Sequence, residues 1–544
     1  MRAQLKLVET STPESIVAED PAAVASGAAA KRSLLRFLTC GSVDDGKSTL
    51  LGRLLYETGA VFDDQLQTLE RDSVRFGTTG DDMDYALLVD GLSAEREQGI
   101  TIDVAYRYFS TAKRAFIAAD TPGHEQYTRN MATGASTADV AIILVDARKG
   151  VLPQTRRHSY IVSMLGVRRV IVAVNKIDLV DYDESVFRRI EQEYRKLAGA
   201  LEFLECHFVP VSARFGDNVV AVSDKTPWYG RAPLLALLEN IEAAPQSDDA
   251  FRFPVQWVNR PHLDFRGFSG TIASGSIGVG DRIIALPRGR SSRVVRILGP
   301  SGDLDVATSG QSITLTLADE IDISRGDVIV AASAPTAPQR HVVARLLAMN
   351  EAQLAPGRNY VVRIGANLAS ARLVALHHQV DVHDYSEQPA AALPMNGIGL
   401  ATLRFETDVV ATSYRACQTL GALLLIDPHS NETVGLGIVE DDVGKAVDPT
   451  QMWTTRLATG LAEFGVLPAD AGQSELAWLA ASALVTTLIA LALSGSLAVS
   501  VMVGLADFVV RPVLRVLFRS TWAAASRRRA AVRETELTTD GGGI

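Results

Sequence analysis

Between residues 34 and 245, short apolar, strand-like runs (34–39, 114–119, 140–145, 170–174 and 208–211) alternate with longer helical stretches. That alternation predicts strands joined by crossover helices, and hence an α/β domain around a parallel sheet. After the Pro- and Asp-containing stretch at 244–249, the pattern changes to short strands at regular spacing, punctuated by Gly275, Gly278, Gly280, Asp281 and Gly289. This predicts a β-barrel module over 250–335. A Pro-containing break at 335–338 opens a second β-patterned module over 340–442, followed by a linker over 443–474. Residues 1–33 are rich in Ala, Ser and Glu and lack an apolar core behind a basic start, so they read as a flexible leader, not a signal peptide.

The C-terminal pattern is different in kind. Residues 476–506 form 31 consecutive positions without a charge, beyond the roughly 18 that a membrane-spanning helix needs. As one helix they would extend about 46 Å, too long for a hydrocarbon core of about 30 Å. Ser494, Gly495 and Ser496 break the run, so 475–522 reads as a helical membrane hairpin and 523–544 as a basic, polar tail; the alternative, because Asp507 and Pro512 interrupt the second arm, is a buried helical pair that packs on a partner. A hairpin returns Arg519, Arg527, Arg528, Arg529 and Arg533 to the side of the α/β domain, as positive-inside topology requires. The expected location is therefore cytoplasmic, tethered to the inner face of the membrane.

At 544 residues the chain is long enough for three or four domains, and 47% hydrophobic residues against 21% charged give it ample core-forming material. The formal charge of −10 argues against a surface that binds nucleic acid mainly by neutralising phosphates, and no nucleic-acid partner is expected. Cys40, Cys206 and Cys417 lie far apart, which excludes a local disulfide framework or zinc knuckle.

Candidate chemistry starts after the first apolar run. Gly41, Ser42, Val43, Asp44, Asp45, Gly46, Lys47 and Ser48 match G-x-x-x-x-G-K-[ST], followed by Thr49 and the helix-like stretch 50–56. In such a loop, backbone N–H groups cradle phosphate, the lysine reaches the β and γ phosphates, and the Ser48 hydroxyl ligates Mg²⁺. Asp120, Thr121, Pro122, Gly123 and His124 follow the second apolar run. There the Asp120 carboxylate can hold the metal through water, and Gly123 can offer an N–H to the γ phosphate. Asn175, Lys176, Ile177 and Asp178 follow another strand, and an Asp at that place accepts from guanine N1 and N2, which selects GTP over ATP. Ser212 and Ala213, before Arg214, come after a further strand and would close over the base with a backbone N–H.

These elements in this order resemble a translation-factor-type GTPase, an α/β P-loop domain followed by two β-barrels, with GTP and Mg²⁺ as cofactors. The segment 96–101, Arg-Glu-Gln-Gly-Ile-Thr, is similar to its first switch, which implies that Thr101 contacts Mg²⁺ and the γ phosphate. His124 then holds the position that orients the attacking water, where other GTPases use Gln. Val43 and Ile100 match the apolar pair that gates it, and ordinary packing accounts for them equally well. Longer matches at 41–50, 87–109, 120–136 and 252–271 resemble the GTPase subunit of bacterial sulfate adenylyltransferase. That resemblance implies a heterodimer in which a smaller catalytic subunit makes adenosine 5'-phosphosulfate and pyrophosphate from ATP and sulfate while this chain hydrolyses GTP. The alternative is a translation elongation- or termination-type GTPase. Against it stand Asp45, where elongation factor Tu and its relatives have His, and the acidic balance. The tail is similar to a two-span membrane module fused to some sulfate-assimilation proteins, notably at Leu493 to Leu497 and Arg519 to Trp522.

Other conspicuous residues read as structural. His377 and His378 alternate with apolar residues and are expected on a solvent-facing strand, not around a metal. Asp63, Asp64, Asp81, Asp82 and Asp84 lack the spacing of a calcium loop and read as solvated faces or helix caps. Cys40 reads as a small buried residue at the end of a strand.

Overall fold

The computed structural model describes residues 33–76, 83–89, 101–242, 250–262, 264–334 and 336–441. They fall into two compact units: residues up to 248 with Val380–Gln388, and Asp249–Gln379 with the residues from Pro389 onward.

The first unit is built on β1 (Ser33–Cys40), β2 (Ala105–Ser110), β3 (Arg114–Asp120), β4 (Val140–Asp146), β5 (Arg169–Asn175) and β6 (Glu205–Pro210), arranged in the order β2-β3-β1-β4-β5-β6. Only β2 runs antiparallel to its neighbour; the others are parallel, with Thr39 opposite Asp120 and Asp146 opposite Asn175. β4 is buried along its whole length and β5 at all but its first residue, as a strand covered on both faces must be, and Val, Ile and Leu supply that surface. Parallel strands end at one edge of the sheet, so the loops after β1, β3, β5 and β6 emerge side by side. In open α/β sheets this carboxyl edge is where ligands bind.

Helices α1 (Lys47–Glu57), α2 (Asp63–Phe76), α3 (Thr128–Ala135), α4 (Pro153–Met164), α5 (Glu184–Ala198) and α6 (Leu234–Asn240) complete the unit. Asp63 and Asp64 sit in the first turn of α2, where a carboxylate complements the helix dipole. Asp84 caps the short helix Tyr85–Leu88 by accepting from Ala86 N, while Asp81 and Asp82 lie outside the described residues. Arg114 is buried and donates to the carbonyls of Leu238 and Ile241, satisfying the C-terminal end of α6.

The second unit contains two barrel-type β modules. The first orders its strands as Arg252–Pro254, Val328–Ala331, Arg282–Leu286, Arg290–Gly299, Ser312–Leu317, Gly267–Thr271 and Trp257–Asn259 around a core that includes Phe253, Phe268, Ile283 and Leu315. In the second, Asn359–Ile364 pairs with both Ala422–Ile426 and Asn367–Val380, which closes the sheet on itself and leaves no free edge there. Leu286, Val328 and Val330 of the first module share an apolar cluster with Val410, Cys417 and Leu420 of the second, so the two barrels are packed through a common seam. His377 and His378 lie on a strand, Asn367–Val380, as expected, but they are half-buried on it and do not face solvent, and His377 Nε2 lies 2.8 Å from Thr402 Oγ1.

Among the described residues, no helix is long and apolar enough to cross a membrane. The hairpin assigned to 475–522, the linker, the leader and the basic tail lie outside the described residues.

Candidate functional site

The loop from Gly41 to Gly46 turns on left-handed residues: Gly41, Asp44 and Gly46 have φ of 152°, 64° and 87°. A side chain at 46 would run into the Asn175 amide, so glycine is required there on two counts. α1 then starts with no side-chain cap and no acidic residue in its first turn. Its leading N–H groups are left for an outside acceptor, the arrangement that receives phosphate.

Lys47 is buried, and its Nζ donates to Ser42 O at 2.8 Å across the loop. Burial holds its ammonium below the ordinary lysine range, while the charges of Asp120 and Asp45 pull the other way. Gly123 lies against the Lys47 ammonium and the Ser42 carbonyl. A Cβ at 123 would displace both, which is why the loop after β3 needs glycine at its closest approach to the phosphate loop.

Three oxygens converge beside Lys47. Ser48 Oγ donates to Asp120 Oδ2 at 2.6 Å and lies 3.2 Å from Thr101 Oγ1. Asp120 is fixed at the end of β3 by Thr39 Oγ1, which donates to Oδ1 at 2.6 Å, while Thr121 Oγ1 donates to Thr39 O at 2.7 Å. Two hydroxyls and a carboxylate form the hard-oxygen donor set that suits Mg²⁺ when phosphate oxygens and water complete it. The structure thus brings together three residues that are 72 positions apart in the chain at their extremes. Arg96 to Ile100 lie outside the described residues.

His124 is exposed. Its Nδ1 accepts from Gln126 N at 3.3 Å at the head of the short helix Glu125–Tyr127. A neutral imidazole that accepts through Nδ1 carries its proton on Nε2, so the outward nitrogen is a donor.

The guanine-type residues divide into positioning and presenting groups. Asn175 is buried; its Nδ2 donates to Asp45 O at 2.7 Å and its Oδ1 accepts from Ala213 N at 3.0 Å, linking three loops. The Ala213 N–H expected to face a base is therefore engaged by Asn175, and Ser212 N is engaged by Asp217 O. Lys176, at φ of 60°, donates to Asp44 O and pairs with Asp146 at 3.3 Å. Ile177 is fully buried, and Asp178 stands half-buried at the rim.

Two supports are absent from the sequence reading. Asp45 is buried with its Oδ2 accepting from Ser42 N at 2.6 Å, so it braces the loop from inside; burial pushes its carboxyl above the usual carboxylate range, against the pull of Lys47 and of the Ser42 N–H. His158 of α4 accepts from Gly41 N through Nδ1 at 3.1 Å, and burial together with the charges of Lys47 and Arg157 lowers its pKa to about 3, which keeps it a neutral acceptor at physiological pH.

The fold and this loop constellation define a P-loop GTPase of the translation-factor class. Residues 32–245 match the family model described as "Elongation factor Tu GTP binding domain", and 341–440 match "GTP-eEF1A C-terminal domain-like". The chain belongs to the sulfate adenylyltransferase subunit 1 family. It is 56% identical over 410 residues to the protein so named from Chromobacterium violaceum, covering 75% of this chain and 86% of that one. It is 52% identical to the one from Teredinibacter turnerae (76% and 89% covered) and 54% identical to the one from Aeromonas hydrophila (76% and 88% covered).

Proposed function

We propose that this chain hydrolyses GTP as one half of a sulfate-activating heterodimer, coupling that hydrolysis to formation of adenosine 5'-phosphosulfate and pyrophosphate from ATP and sulfate on a smaller partner subunit. The observation that carries the reading is the meeting of Lys47, Ser48, Thr101 and Asp120 at the carboxyl edge of the sheet, in a chain 56% identical over three-quarters of its length to a subunit of that name. Gly41 to Thr49 with Gly123 take the phosphates, Ser48, Thr101 and Asp120 hold Mg²⁺, and Asp178 with the loop of Ser212 and Ala213 takes the guanine. Bound Mg²⁺ neutralises charge on the phosphates. His124, with its Nε2–H turned outward, orients the attacking water. Forming a phosphosulfate anhydride is uphill, so the nucleotide state must change the partner's affinity or barrier; a likeness to translation factors is a likeness of superfamily, with no second reading of the site.

The test is GTP hydrolysis by the chain co-expressed with the small subunit, with and without ATP and sulfate, with adenosine phosphosulfate followed in parallel. Mutual stimulation of the two reactions is expected. GTP turnover indifferent to sulfate, with no product, refutes the assignment.

For the C-terminal segment we propose that 475–522 forms the membrane hairpin that holds the otherwise cytoplasmic complex at the inner face. The support is the uncharged run 476–506 and the arginines that follow it. The full chain is expected in the membrane fraction, and a chain truncated after 474 in the supernatant; equal partitioning of the two sinks the idea.

A further inference from the structure

Directly after Asp178 the chain makes a tight reversal. Asp181 N donates to Asp178 O at 3.4 Å and Tyr182 N to Ile177 O at 2.9 Å, with Asp181 and Tyr182 both in the left-handed region at φ of 54° and 55°. A bulky residue holds that conformation only where its surroundings over-determine it, and here they do. Tyr182 Oη donates to Asp217 Oδ2 at 2.8 Å, Lys225 Nζ reaches Tyr182 Oη at 3.1 Å and Asp217 Oδ2 at 3.2 Å, and Trp228 Nε1 donates to Tyr182 O at 3.0 Å.

Asp217 has a second attachment. Its backbone carbonyl accepts from Ser212 N at 3.2 Å, and its Oδ1 accepts from Ser223 Oγ at 2.6 Å. The side chain is only 10% exposed. Burial alone would raise its pKa, but hydrogen bonds from Ser223, Tyr182 and Lys225 outweigh it and hold the carboxyl below the usual range, so the group stays charged. One residue therefore grips both loops assigned above to the base: the loop of Asp178 through its side chain, and the loop of Ser212 and Ala213 through its carbonyl.

We propose that Asp217, acting with Tyr182 and Lys225, is a positioning residue for guanine recognition, setting the separation of the two loops that take the base. The inference rests on the GTP-site reading. None of the three needs to touch the nucleotide; they fix where the Asp178 carboxylate stands relative to N1 and N2 of the purine. A charge-assisted link spanning two loops resists small displacements more than either loop's own turn does.

The experiment compares kcat and KM for GTP and for inosine triphosphate, which lacks the 2-amino group, in the full chain with its small subunit. Tyr182→Phe removes one hydroxyl and keeps the ring. It is expected to raise KM for GTP about five- to tenfold with kcat unchanged, and to shrink the preference for GTP over the inosine nucleotide. Asp217→Ala is expected to do the same more strongly, and Asp217→Asn, which keeps an acceptor for Tyr182, to recover most of the loss. A general loosening of the fold would lower kcat for both nucleotides and leave their ratio alone, and that result overturns the proposal. A parent complex that does not distinguish the two nucleotides overturns the guanine-site reading and this one with it. A parent that distinguishes them, with variants that match it, overturns this one alone.

Discussion

A His124→Ala chain is expected to bind GTP as tightly as the parent and to hydrolyse it about 10²–10³-fold more slowly. The side chain stands on the exposed surface next to Gly123, beyond the buried phosphate loop, so its removal takes no contact away from Lys47, Ser48 or Asp120. Its imidazole is aimed by the hydrogen bond from Gln126 N to Nδ1, which leaves Nε2–H as the working end. A donor at that place orients a water or steadies charge that develops in the transition state; it does not abstract a proton in this tautomer. His124→Gln supplies an amide N–H from a chain of similar reach and is expected to recover part of the rate, since a glutamine performs this task in other GTPases. Single-turnover hydrolysis with nucleotide affinity measured separately distinguishes the effects. A His124→Ala chain that turns over at the parental rate removes His124 from the chemistry.

What the sequence made legible is what is local. The strands named from apolar runs appear within three residues of their expected ends, most plainly β4 and β5, where Val and Ile buried on both faces leave an unbroken signature. The phosphate loop was legible for the same reason: its glycines are forced by backbone geometry inside eight residues. β2 went unrecognised, although Ala105–Ser110 alternates. As an edge strand it exposes Tyr106 and Tyr108 while burying Phe109, a pattern too short to stand out. Supports that join distant positions carried almost no signal. Nothing in the sequence distinguishes the histidine that receives Gly41 N from one that simply fills a core, and the grip of Asp217 on two loops depends on a fold that brings residues 182, 212 and 225 to one place. The barrels' strand order likewise follows from closure, which is a property of the assembled sheet and not of any one strand.

Lys47→Ala is expected to weaken GTP binding by at least about 10²–10³-fold, the cost of losing two or so charge-assisted contacts to phosphate at roughly 1.5–3 kcal/mol each. The fold keeps this ammonium buried at an electrostatic cost: burial disfavours the charged form, and the nearby charges of Asp120 and Asp45 with the Ser42 carbonyl hold it in place. A triphosphate brings several negative charges to the same spot, so binding relieves that cost, and the lysine's contribution to affinity exceeds what an exposed lysine would give. The same crowding decides which substitutions can replace it. Gly123 is already in contact with the Lys47 ammonium, so the wider guanidinium of Lys47→Arg has no room and is not expected to restore binding, despite its charge. Titration with a fluorescent GTP analogue checks both variants, and circular dichroism confirms that the chain keeps its parental secondary-structure content. Binding by Lys47→Ala within tenfold of the parent shows that the helix N-terminus and loop amides suffice. Recovery by Lys47→Arg shows that net charge, not fit against Gly123, sets affinity at this site.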